Sequence, residues 1–112
     1  MLKISNYING ALINPVAGNY LENYNPAEGK PYSLVPDSDV QDVQLATEAA
    51  QRAFGAWSAM AVEKRSAILQ KIADLIDRDL DELALAESTD QGKPVKLAKV
   101  VDIPRASANM RF

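Results

Sequence analysis

Two charged residues stand where a helix's own field disfavours them, and they are the first candidates for chemistry. Asp90 falls at the C-terminal end of a predicted helix, beside Gln91-Gly92-Lys93, where the macrodipole opposes negative charge. Its carboxylate either accepts hydrogen bonds from the backbone N–H groups of that turn or acts as an oxygen ligand for a cation. Arg105 follows Pro104 in the first turn of the last predicted helix, where the dipole opposes a cation. A guanidinium at a helix start can receive a carboxylate or a phosphate through its planar fork and the neighbouring N–H groups. The other readings of Arg105 are an ion pair with Asp102 or a solvated side chain.

The rest of the composition narrows the field. The 112-residue chain has no Cys and no His. Disulfides, thiolate nucleophiles, zinc clusters and an imidazole base are therefore excluded, and no catalytic residue is assigned within the chain. Carboxylates, Lys, Tyr and hydroxyls remain, but a glycosidase-like carboxylate pair would need a cleft. Asp77, Asp79, Asp81 and Glu82 instead fall at a helix–helix junction and read as solvated capping residues. Lys93 follows Gly92 without a glycine-rich phosphate loop, and no dinucleotide fingerprint occurs, so no residue is assigned to cofactor binding. Trp57, near a predicted helix end, reads as a core or interface anchor. The net charge of −3 is spread over interleaved acidic and basic residues, which gives no footprint for nucleic acid. No apolar run approaches bilayer length and no apolar stretch follows Lys3, so no membrane association and a cytoplasmic location are expected.

The elements that hold these residues change in period along the chain. Tyr7-Ile8 and Ala11-Leu12-Ile13 flank Asn9-Gly10, a dipeptide suited to a two-residue hairpin turn. Strands are expected over residues 20–24 and 32–35, separated by Asn25-Pro26-Ala27-Glu28-Gly29. After Pro36 the apolar spacing turns helical. Ser38 and Gln41 fit a capping box opening a helix that sets Val40, Val43, Ala46, Ala50 and Phe54 on one side and ends near residues 55–57. A second helix over residues 62–78 places Ile68, Leu69, Ile72, Leu75 and Ile76 on one face. A third begins with Asp79-Leu80-Asp81-Glu82 and stops at Gly92-Lys93-Pro94. A fourth starts at Pro104, and no stop signal follows before Phe112. The expectation is an α/β fragment: an N-terminal β-hairpin and short strands, then three to four amphipathic helices.

The order Tyr7-Ile8-Asn9-Gly10, Asn25-Pro26-Ala27-Glu28-Gly29, Ala49-Ala50 through Phe54 to Trp57, Glu63-Lys64-Arg65 with Ile68-Leu69, and Asp90-Gln91-Gly92-Lys93-Pro94 resembles the amino-terminal region of the aldehyde dehydrogenase superfamily. The stretch Asp102-Ile103-Pro104-Arg105-Ala106 through Asn109 and Arg111-Phe112 resembles its branch acting on 2-hydroxymuconic and 2-aminomuconic semialdehydes. The resemblance implies that residues 1–112 are the truncated N-terminal part of an NAD-binding domain, with a hairpin and strand arm over 1–36 and helices over 37–112. It implies that Arg105 binds the substrate carboxylate, and that main-chain oxygens of Asn23 and Tyr24 join Asp90 in a monovalent cation site. It also implies an NAD or NADP cofactor in the full-length enzyme but none bound by this chain alone, a small aldehyde as substrate, and a full-length homodimer or tetramer. The family's catalytic Cys and Glu have no counterpart here, so the segment by itself is expected to be inactive. The reading from a different class is a stand-alone helical interaction module without catalysis, its apolar helix faces covered by a partner.

Overall fold

The computed structural model describes residues 1–112 and divides into two compact units, Met1–Tyr24 with Gly29–Ala59, and Asn25–Glu28 with Met60–Phe112. Each follows from its own local chemistry.

The first unit holds five short strands and one long helix. Strands β1 (Leu2–Lys3), β5 (Lys30–Pro36) and β4 (Tyr20–Asn25) form one sheet in that order, and β2 (Asn6–Ile8) pairs with β3 (Ala11–Ile13) in another. The β2–β3 pair is antiparallel, with Tyr7 opposite Leu12. Asn9 and Gly10 turn it with φ of +53° and +77°, both positive as a type I′ turn requires. Strand β1 was not foreseen. It runs parallel to β5, with Leu2 opposite Ser33, and two residues are too few to show a period.

Helix α1 covers Val40–Ala59. Its start differs from the expected box by one residue. Asp39 caps the helix, its carboxylate accepting from the Gln41 N–H at 2.8 Å, while Asp42 reaches back to accept from the Asp39 N–H at 2.9 Å. The reciprocal pattern is therefore Asp-x-x-Asp, and Ser38 is occupied elsewhere, accepting from the Asn6 side chain at 2.9 Å. The end also differs. Alanines at 49, 50, 53, 56 and 59 favour the helix strongly enough to carry it through Gly55, which alone costs about 1 kcal/mol and has no proline behind it. Trp57 consequently lies inside α1 and is half-exposed.

The second unit is helical: α2 (Val62–Arg78), α3 (Leu80–Gln91), α4 (Val95–Leu97), a π-helical turn (Ala98–Asp102) and α5 (Ile103–Arg111). Helix α2 has the bounds its apolar stripe predicts. Asp79 stands at the start of α3 but makes no side-chain cap; Arg78 holds its carboxylate with two 2.8 Å hydrogen bonds. Gly92 ends α3 in the left-handed conformation, its N–H donating to the Ser88 carbonyl, as a helix-ending glycine does.

The last helix does not begin at Pro104. Helical structure starts at Val95, and Leu97, Ala98, Asp102 and Ile103 all keep right-handed helical dihedrals. In a regular α-helix Pro104 would remove one hydrogen bond and press its ring on the carbonyl four residues earlier. The preceding turn is instead widened, so that the Ile103 N–H bonds to the Ala98 carbonyl five residues back.

Within this unit α2 packs on α5 and α3 packs on the π turn. The fully buried apolar residues are Ala73, Ala84 and Ala98; side chains this small allow close helix approach. Larger apolar residues stay in contact with solvent. Ile68, Leu69 and Ile72 on α2 are exposed, as are Leu85 on α3 and Val100 in the π turn.

Candidate functional site

The chemistry concentrates around the junction of α3, the π turn and α5. Gly92 reverses the chain after α3 and delivers Lys93 to two carboxylates, with Nζ 3.1 Å from Glu87 and 3.1 Å from Asp102. The Ser88 hydroxyl donates to the Lys93 carbonyl at 2.6 Å, so backbone and ammonium are both fixed. Glu87 first, and Asp102 second, raise the Lys93 pKa above its ordinary value. The Asp102 oxygen facing Lys93 is shut off from solvent and has no other partner.

Arg105 is exposed on α5 and makes no ion pair or hydrogen bond within the chain. The alternative in which Asp102 neutralises it is not realised, because Lys93 holds that carboxylate. Arg105 does not stand at a free helix start, as its sequence position suggests: the backbone ahead of it is already helical from Val95. A free row of N–H groups is therefore absent, and the guanidinium itself must do any binding of an anion.

Asp90 lies half-buried in the last turn of α3, with the Gln91 side-chain nitrogen 3.4 Å from its carboxylate. Asn23 and Tyr24 belong to the other unit, on β4. The Asn23 amide donates to the Tyr32 hydroxyl at 3.1 Å and to Ser33 Oγ at 3.2 Å. Tyr24 donates its phenol to Glu22 at 2.8 Å, which raises the phenol pKa. No group of three or more carboxylates is gathered to hold a metal ion. The acidic run is dispersed: Asp77 pairs with Arg111 at 2.7 Å, Asp79 with Arg78 and Asp81 with Lys99. No helix is long and apolar enough to cross a membrane.

Sequence reasoning missed Lys93 as the centre of an ion-pair cluster. The signal available was the spacing of Glu87 and Asp102 on either side of a helix-ending glycine.

The aldehyde dehydrogenase family model matches residues 13–112. The chain belongs to the aldehyde dehydrogenase family. Among its relatives, a 2-aminomuconic semialdehyde dehydrogenase of Bos taurus is 44% identical over all 112 residues, which are 23% of that protein. Acetaldehyde dehydrogenase 2 of Cupriavidus necator is 44% identical over 107 residues, covering 96% of this chain and 21% of the relative. Among solved structures, PnpE in complex with nicotinamide adenine dinucleotide is 36% identical with a TM-score of 0.94, over 96% of this chain and 22% of that one. The chain thus spans under a quarter of the length of these dehydrogenases, and the expected α/β architecture is that of the family.

Proposed function

We propose that the chain serves as the amino-terminal part of an NAD-dependent aldehyde dehydrogenase that oxidises a carboxylate-bearing semialdehyde to the corresponding acid. The observation that carries the substrate class is the exposed Arg105 guanidinium with no partner, on a helix whose adjacent carboxylate is already engaged by Lys93. A free planar fork of this kind matches a carboxylate in two parallel hydrogen bonds. The name of the bovine relative supports the same class. In this reading residues 1–36 are the arm and residues 37–112 the helices of the N-terminal part of the NAD-binding domain. The nicotinamide supplies the hydride acceptor when bound, and no residue of this segment is assigned to it.

Asp90 is carried as an oxygen ligand of a monovalent cation site. An oxygen donor suits a hard cation and disfavours a thiophilic metal. The working molecule is proposed to be a homodimer or tetramer in the cytoplasm.

The test is Arg105→Met in the dehydrogenase carrying this segment. KM for 2-hydroxymuconic semialdehyde should rise about tenfold or more, the scale of a lost charge-assisted hydrogen bond, while KM for hexanal should hardly move. Equal losses on both substrates remove the carboxylate role, since hexanal carries no carboxylate for Arg105 to receive.

The second reading, a helical interaction module, is favoured by one observation: the predicted inner face of α1 is open, with Val40 77%, Val43 62% and Phe54 67% exposed. The intact mass of the protein produced by its source cell separates the two. A product several times heavier than 12.2 kDa supports the dehydrogenase, and one of this size supports the module.

A further inference from the structure

We infer that Lys93 is a positioning residue that keeps Arg105 available, by withholding from it the carboxylate of Asp102. The inference rests on the reading of Arg105 as the carboxylate receptor. Asp102 and Arg105 are three residues apart, a spacing at which opposite charges on a helix meet and pair. They do not pair here. Asp102 faces Lys93 at 3.1 Å through an oxygen closed to solvent, and Arg105 is left exposed.

The lysine that does this is fixed through both its side chain and its main chain. Glu87 takes it at 3.1 Å, Ser88 fixes its main-chain carbonyl at 2.6 Å, and the left-handed Gly92 sets its approach. Two carboxylates share one lysine, so removing its charge leaves the closed-off oxygen of Asp102 uncompensated. Arg105, one helical turn along, then becomes the cation that compensates it. An arginine so engaged must break that pair before it receives a substrate carboxylate. The cost falls on binding of acidic aldehydes and spares the chemical step.

The experiment measures KM and kcat for 2-hydroxymuconic semialdehyde and for hexanal in the dehydrogenase carrying Lys93→Met, Lys93→Gln, Lys93→Arg, Lys93→Met with Asp102→Asn, and Arg105→Met. Lys93→Met and Lys93→Gln should raise the ratio of the two KM values about three- to fivefold, as expected of a competing, partly exposed ion pair, with the kcat ratio unchanged. Lys93→Arg, and the double variant that removes the competing charge, should return the KM ratio to its starting value. If Lys93→Met proves too unstable to assay, Lys93→Gln and the double variant carry the comparison. An unchanged ratio in Lys93→Gln, or a raised one that Asp102→Asn does not restore, overturns the positioning role while Arg105→Met still raises the ratio. A ratio unmoved by Arg105→Met overturns the substrate reading itself.

Discussion

Gly92 and Pro26 approach so closely that a methyl group on Gly92 would lie 3.1 Å from the Pro26 Cβ. Gly92 also has φ of +77°, so side chains are opposed there both by the backbone and by a neighbour. Gly92→Ala should lower stability by about 1–2 kcal/mol from the left-handed backbone alone, with the proline contact adding to it. Thermal unfolding of the variant beside Gly29→Ala separates the two causes. Gly29 has a similar φ of +65° but open space around it, so the larger loss belongs to Gly92.

Asp42 predicts a dependence on acid. It is 3% exposed and accepts from the Asp39 and Val16 N–H groups, each at 2.9 Å. The Asp39 bond first, and the Val16 bond second, hold its pKa below the ordinary 3.8. A depressed carboxylate contributes stability that is complete above its unfolded pKa and is lost as pH falls through the folded one. The melting temperature of the protein should therefore decline below about pH 4, and Asp42→Asn should lower it more at pH 7 than at pH 3. An equal loss at both values would show that the charge is irrelevant.

Packing and charge in the second unit should differ sharply in weight. Ala73 is fully buried on α2, the helix that packs on α5, and Ala73→Leu should cost about 1–3 kcal/mol by overpacking. Arg111 joins the same helices through Asp74 at 2.8 Å and Asp77 at 2.7 Å, but these groups are largely solvated. Arg111→Ala should shift the denaturation midpoint far less. A reversed order would mean that the ion pairs, and not the alanine seam, hold α5 in place.

The 112-residue polypeptide studied by itself should self-associate. Phe54, Val62, Ile68, Leu85 and Val100 are exposed together with much of the remaining apolar surface, more than an isolated soluble domain usually leaves open. Sedimentation velocity over a concentration series should show a rising sedimentation coefficient. A constant monomer would contradict this.

Sequence pattern was most informative where one local rule acted alone. Asn9-Gly10 fixes its turn by backbone freedom, and α2 and the end of α3 follow from an apolar stripe and a helix-stopping glycine. It failed where rules competed. Ser38 and Asp39 both satisfy a capping pattern, and the choice depends on Asn6, distant in sequence, engaging Ser38. Pro104 suits a helix start, yet a widened turn lets it sit within a helix already under way. For the site, Arg105 and Asp102 were visible as a local pair. That Lys93 removes Asp102 from the pair depends on how α3 meets the π turn, a tertiary fact with no periodic trace.

The π turn adds one residue to a helical run, and a single residue of α-helix corresponds to about 100° of rotation. Everything after Asp102 is therefore out of phase with Val95–Leu97 by more than a quarter of a circle. Deleting Val100 would narrow the turn ahead of Pro104, press the proline ring on the backbone it now clears, and swing the Arg105 side chain to a different azimuth while leaving its chemistry intact. The heading of that guanidinium is thus set by a count of residues as much as by any contact it makes.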